Sequence, residues 1–113
     1  MIAESTIELY QCKLMVMHTA YKIDRKEDFR SEVSMTKHFV ATALNRIIDR
    51  AIQVHGALGY SKDTPLADMF LHARWARFAD GADEIHLMQT AKRAISAYRD
   101  TGSTAAATGN LPL

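Results

Sequence analysis

The stretch RFADGADEIHL, Arg77 to Leu87, decides how this chain is read. An Asp-Gly turn at Asp80 and Gly81 separates two segments whose residues otherwise favour helix, and Asp83 and Glu84 follow it closely. Two readings fit. Asp80 is either a cap for the next helix, with Asp83 and Glu84 complementing the dipole in its first turn, or a carboxylate placed to take a proton from a ligand. As a bare pattern, the cap is the better reading.

Outward from this stretch the chain is organised by helical periodicity. Ile2, Leu9, Val16 and Ile23 recur every seven residues, joined by Cys12 and Ala20, and predict a first helix over about Ala3 to Ile23 whose apolar stripe faces a core. After the charged connection YKIDRKEDFR, the series Val33, Val40, Ile47 and Val54, with Thr36, Ala43, Leu44 and Ala51, predicts a longer helix over about Phe29 to His55. Lys37, Asn45, Asp49 and Arg50 fall on its far face. HGALGYSKDTP breaks the pattern, and Asp63, Thr64 and Pro65 read as the start of a short helix reaching about Arg74. A last helix is expected from about Ala82 to Arg99. No strand-type alternation occurs. The expected fold is all-α, an antiparallel bundle of three long helices and one short helix over residues 1–100, followed by a flexible tail over 101–113. Three long helices and a short one bury their stripes poorly, so the expectation is an incomplete bundle or an obligate oligomer.

Composition narrows the function. The 113 residues carry a net charge of +1 with both signs mixed, which offers no basic patch for nucleic acid. No apolar run is long enough for a membrane span and no charged-then-apolar leader opens the chain, so the expected location is cytoplasmic. Cys12 is the single cysteine, which excludes an internal disulfide and favours a reducing compartment. Of the five histidines, His18, His38, His55, His72 and His86, only His86 completes a carboxylate-x-x-His pair, with Asp83. A di-iron bundle needs two such pairs, so no metal site is expected.

Two segments carry chemistry. QVHGALGY, Gln53 to Tyr60, places a glutamine and closely spaced glycines at a helix end. Gly56 suits a plain helix C-terminus, and the same glycines let another molecule approach the backbone. The second segment is the Asp80-Gly81 turn. In their order, spacing and helical context, the two resemble the C-terminal helical domain of the acyl-CoA dehydrogenases. That family carries a Q-x-x-G-G-x-G turn at the end of a long helix, then a short helix, an acid followed by glycine, and a final helix. QVHGALG and the Asp80-Gly81 pair occupy those places, and the match runs from about Ile2 to Tyr98. TPLADMF and ARWARFADGADEIH are especially similar to the subgroup related to eukaryotic dehydrogenases fused to kinase-like domains, where the acid is aspartate.

The resemblance implies a flavoprotein oxidoreductase of fatty acid metabolism. FAD accepts hydride from the β-carbon of an acyl-CoA thioester while a carboxylate removes the α-proton. Carried over, Asp80 is the catalytic base and its backbone N–H a donor to the thioester carbonyl, with Gly81 lining the substrate pocket. Gln53, Gly56, Ala57 and Gly59 would reach the FAD of a neighbouring subunit, and Ala82 and Glu84 would touch the cofactor. Several positions depart from the family pattern. Ala57 replaces the second glycine, Asp80 is a methylene shorter than the usual glutamate, a common Thr and Gln are Ala82 and Glu84, and a common Arg-Asp pair is Leu71-His72.

Family members also carry an N-terminal helical domain, a middle β-domain holding much of the flavin site, and a further helix ahead of Met1. Without them the chain is expected to lack a complete site and to be colourless and inactive alone. The expected partners are further copies of itself, or chains supplying the missing domains, together with acyl-CoA and an electron acceptor. The alternative is a non-catalytic helical module of the same descent that acts by association.

Overall fold

The computed structural model describes residues 1–107. It contains α1 (Ile2–Asp24), α2 (Arg30–His55), α3 (Ala57–Tyr60), α4 (Leu66–Trp75), α5 (Asp83–Thr101) and α6 (Thr104–Ala107). No strand occurs among the described residues. The all-α expectation holds, and the long helices begin and end within about two residues of their sequence-based limits, the usual uncertainty of helix ends. The single turn of α3 falls inside a stretch read as a break. α6 falls inside the segment read as a tail, of which residues 108–113 lie outside the described part.

α2 organises the molecule. α1, α4 and α5 each pack against it, and α1 touches neither α4 nor α5. The chain turns from α1 into α2 at Lys26, which has a φ of +57°. Asp28 then accepts hydrogen bonds from the backbone N–H and the guanidinium of Arg30. Those contacts hold the Asp28 carboxyl well below the usual carboxylate range.

This arrangement leaves little interior. The buried apolar side chains are Cys12, Ala41, Ala43, Ile48 and Ala73, mostly small residues that let helices approach closely. The chain extends 54 × 27 × 25 Å, with a radius of gyration of 16.8 Å. A compact domain of this length has a radius near 13 Å. Its accessible surface is 8075 Å², against roughly 6,200 Å² for a compact monomer of its mass.

The expected stripe of α1 is corrected here. Ile2, Leu9, Val16 and Ile23 are all exposed, Ile2 by 84%, and Ala20 is exposed too. The face of α1 that meets α2 instead runs through Ser5, Glu8, Cys12, Met15, Thr19 and Lys22. It is joined by polar contacts. Glu8 accepts from Arg46 and Arg50 at 2.7 and 2.6 Å, the Thr19 and Thr36 hydroxyls lie 3.0 Å apart, and Lys22 pairs with the buried Glu32 at 2.6 Å. Half-buried ion pairs recover little net stability after desolvation but fix register well. Periodicity located an apolar face on α1 correctly. It could not say which face α2 would cover.

Asn45 is the second correction. Expected on the solvent face of α2, it is buried, and its amide donates to the Ala41 carbonyl at 2.8 Å and to the Ala73 carbonyl of α4 at 2.6 Å. Lys37 and Arg50 of that same face are also partly covered, and only Asp49 is fully outside. Helices packing on several sides of α2 leave it no single solvent face. Truncating Asn45 strands the Ala73 carbonyl, so Asn45→Ala should cost about 1–3 kcal/mol in urea unfolding. Asp49→Ala should stay within about 0.5 kcal/mol of the parent.

Candidate functional site

The acid turn lies between α4 and α5, and the chain closes it at its base. The Asp83 N–H donates to the Arg77 carbonyl at 3.0 Å, and Arg77 Nε donates to Asp83 Oδ2 at 2.6 Å. Backbone and side chain of one pair therefore clasp each other across six residues. Inside the clasp, Asp80 has a φ of +54° and Gly81 one of +102°. A non-glycine residue in the left-handed region costs roughly 1–2 kcal/mol and persists only where its surroundings impose it. Gly81 suits this place because its φ disfavours a side chain, and an added Cβ, 2.9 Å from His86 Nε2, would push that ring aside.

Side chains from two helices hold the tip. Lys37 Nζ of α2 donates to the Gly81 carbonyl at 2.7 Å, and His86 Nε2 of α5 lies 3.2 Å from the Asp80 carbonyl. The Asp80 carboxylate, by contrast, is exposed and makes no hydrogen bond or ion pair among the described residues, and its backbone N–H is also unpaired. The helix after the turn starts at Asp83, with Ala82 at its N-cap position and no side chain capping it. The capping reading of Asp80 is therefore corrected: two residues separate it from the helix, and its carboxylate is left free.

Asp83, read as a first-turn acid, does stand in the first turn of α5 but is only 5% exposed. Burial pushes its carboxyl upward, yet the Arg77 hydrogen bond, with the charges of Arg77 and His38, brings it below the ordinary aspartate value. Glu84, next to it, is exposed, and Ala82 is partly covered. Arg77, Lys37, His38 and Asp83 were not singled out from the sequence as parts of the site. A basic residue three positions before an acid-Gly pair, with an acid three after it, was the available signal, and Lys37 and His38 left none.

The second candidate element lies elsewhere. Gln53, Gly56 and Ala57 are exposed together where α2 ends and α3 begins. Gly56 has a φ of +58° and a ψ of −141°, open only to glycine in practice, and an added Cβ there would meet nothing within 4 Å. Open backbone at this point leaves room for another molecule to approach. Gly59 is different. It is buried, and an added Cβ would lie 2.7 Å from the Ile52 carbonyl, so packing of α3 on α2 already accounts for it. From His38, which adjoins the acid turn, to Gln53 is fifteen residues of α2, or about 22 Å at 1.5 Å per residue. The chain thus brings Asp80, Gly81, Ala82 and Glu84 together, and Gln53, Gly56 and Ala57 together, but keeps the two groups apart. Among the described residues, no three His, Cys, Asp or Glu side chains gather to hold a metal ion. None of the described helices is long and apolar enough to cross a membrane.

An all-helical domain with a strained acid-Gly turn docked on its central helix defines a class of helical domain rather than one activity. The profile of the acyl-CoA dehydrogenase C-terminal domain matches residues 1–95, and the chain belongs to the acyl-CoA dehydrogenase family. It is 46% identical over 93 residues to acyl-CoA dehydrogenase family member 11 of Gallus gallus, covering 80% of this chain and 12% of that protein. Identity with (R)-benzylsuccinyl-CoA dehydrogenase of Thauera aromatica is 41% over 96 residues, 84% of this chain and 24% of the relative. A solved structure from Mycobacterium abscessus, assigned to the acyl-CoA dehydrogenases, superposes with a TM-score of 0.83 at 37% identity, over 86% of this chain and 24% of that one. The chain therefore spans a quarter or less of these relatives.

The Asp83 clasp has a pH signature. A carboxyl whose folded value is depressed stabilises the fold above its unfolded value, near 4, and loses that contribution as pH falls through the folded value. Between about pH 5 and pH 3 the wild-type chain should lose stability more steeply than Asp83→Asn. Parallel losses in urea titrations of the two proteins would contradict the clasp.

Proposed function

We propose that this chain is the acid-bearing C-terminal portion of an FAD-dependent acyl-CoA dehydrogenase, with Asp80 as the base that removes the α-proton of an acyl-CoA thioester. The observation that carries the reading is the free carboxylate and free N–H of Asp80, at a φ of +54° in a turn held through the Asp80 and Gly81 carbonyls and closed by the Arg77–Asp83 pair. Aspartate enters the left-handed region more readily than most residues, and here that conformation presents its carboxylate and N–H unpaired, which suits chemistry at that residue in a family of dehydrogenases.

In this reading Asp80 has two tasks at one position. Its carboxylate takes the α-proton, and its backbone N–H donates to the thioester carbonyl, where enolate-like charge develops. Gly81 adds no side chain between the two and leaves room for the thioester. FAD, when bound, supplies the acceptor for the β-hydride. Gln53, Gly56 and Ala57 would contact it in an adjacent copy of the chain, which suits their separation of about 22 Å from the acid turn. Glu84 and Ala82 would meet the cofactor on the Asp80 side. The α-proton is weakly acidic, so the base must be desolvated to raise its affinity for protons. Asp80 is exposed in this chain, and covering it falls to surfaces outside the chain, the middle domain above all. This portion alone is then inactive.

The exposed apolar faces support association with further chains. Met1, Ile2, Leu9, Leu44, Ile47 and Val54 line an open groove of about 460 Å³ between α1 and α2, and Leu71 and Trp75 of α4 are 68% and 58% exposed. Exposed apolar surface on this scale marks an interface. The same faces favour a second reading, an association module without catalysis, which has no use for the strained Asp80.

The first of two experiments separates these, and the second tests the association that both share. In a flavin-loaded enzyme carrying this segment, Asp80→Asn should lower turnover by about a hundredfold or more while FAD stays bound; turnover near that of the parent would leave only the association module. In sedimentation of the 113-residue chain, self-association is expected, and Leu9→Glu and Val54→Glu should weaken it. A monomer at all concentrations would remove the association claim.

A further inference from the structure

Asp83 is the most enclosed carboxylate near the turn, its side chain 7% accessible, and each of its oxygens faces a different partner. Oδ2 receives Arg77 Nε at 2.6 Å. Oδ1 lies 3.4 Å from His38 Nδ1, and both of these atoms are buried with no other hydrogen-bond partner. The histidine leaves two possibilities. With its proton on Nε2, a ring lone pair would confront a carboxylate oxygen inside the protein, leaving two buried acceptors unsatisfied. With a proton on Nδ1, the same pair becomes a charge-assisted hydrogen bond after a shift of a few tenths of an ångström. The surroundings therefore select the Nδ1–H form.

We propose that His38 is a positioning residue for Asp80, acting through Asp83. Its Nδ1–H and the Arg77 guanidinium hold the two oxygens of one carboxylate, and so tie the closing residues of the acid turn to α2. His38 belongs to α2, Asp83 begins α5, and Arg77 lies between α4 and the turn. The contact thus joins three parts of the chain where they meet the strained pair Asp80-Gly81. Neighbouring Lys37 anchors the Gly81 carbonyl, so consecutive residues of α2 secure the tip and the base. Without the hold on Asp83, a turn with two successive positive φ values relaxes toward ordinary backbone angles, and the free carboxylate and N–H of Asp80 lose their shared direction. The inference rests on the reading of Asp80 as the proton acceptor, and it adds the residue that keeps that acceptor in place.

Nuclear magnetic resonance of the labelled chain tests this without flavin or substrate. The ring nitrogens of His38 should show the proton on Nδ1, and exchange of the Asp83 amide proton, which bonds to the Arg77 carbonyl, reports closure of the turn. His38→Leu should speed that exchange about tenfold. The amide of Ala43, deep in α2, should be unchanged. His38→Asn keeps a donor at the Nδ1 position and should bring exchange back to within about twofold of wild type. A bare Nδ1, unchanged Asp83 exchange in His38→Leu, equal acceleration at Ala43, or no rescue by asparagine would each overturn the proposal. Such a failure removes His38 from the site and leaves the role of Asp80 standing. Full turnover in Asp80→Asn would remove the role of Asp80, and His38 would then hold the turn without serving catalysis.

Discussion

Everything distinctive about the acid turn depends on one buried carboxylate. Asp83 stands at the start of α5, takes the Arg77 guanidinium on one oxygen, faces His38 with the other, and donates its own N–H to the Arg77 carbonyl. A free acidic residue between two helices would normally sample many conformations. Here the chain on either side is clasped, the Gly81 carbonyl is held by Lys37, and Asp80 is left at a φ of +54°. The stabilising contacts are made by its neighbours, and the strain is concentrated on the residue whose carboxylate remains unengaged.

A second constraint shapes the molecule as a whole. α2 carries α1, α4 and α5, yet the seam with α1 sets ion pairs and hydroxyls beside Cys12 and Met15, while Ile2, Leu9, Val16 and Ile23 stay exposed. That distribution is poor for an isolated domain and suitable for a part of a larger assembly. Separation of the acid turn from the Gln53–Gly56 end by about 22 Å of helix points the same way. On the proposed reading, each of these two segments is half of a site that is completed by surfaces outside it.

Much of the fold was legible because helical periodicity and Gly/Pro punctuation are local signals. The limits of α1, α2 and α5 followed from them. Which face of α1 meets α2 was not legible, because Ile2, Leu9, Val16 and Ile23 mark an apolar stripe without naming what covers it. Asn45 was misplaced for a related reason: a polar residue on an outer-looking face becomes interior when α4 brings an unpaired carbonyl to it. The family was legible through the joint spacing of QVHGALG and the Asp80-Gly81 pair, and the candidate site follows from it as a proposal. Asp80 read alone was a cap, and the backbone shows that Ala82 holds that position instead. Lys37 and His38 could not be found from sequence, since their partners lie more than forty residues away.

The central claim is that Asp80 itself takes a proton from the carbon next to a thioester carbonyl. Exchange of that proton is its most direct measure, because it requires the base and not the completed oxidation. In heavy water, a flavin-loaded enzyme containing this segment should wash deuterium into the α-position of an acyl-CoA. The Asp80→Asn enzyme, with substrate bound, should leave that position unlabelled. Labelling by the variant at the parent's rate would mean that another group removes the proton, and Asp80 would no longer be the base.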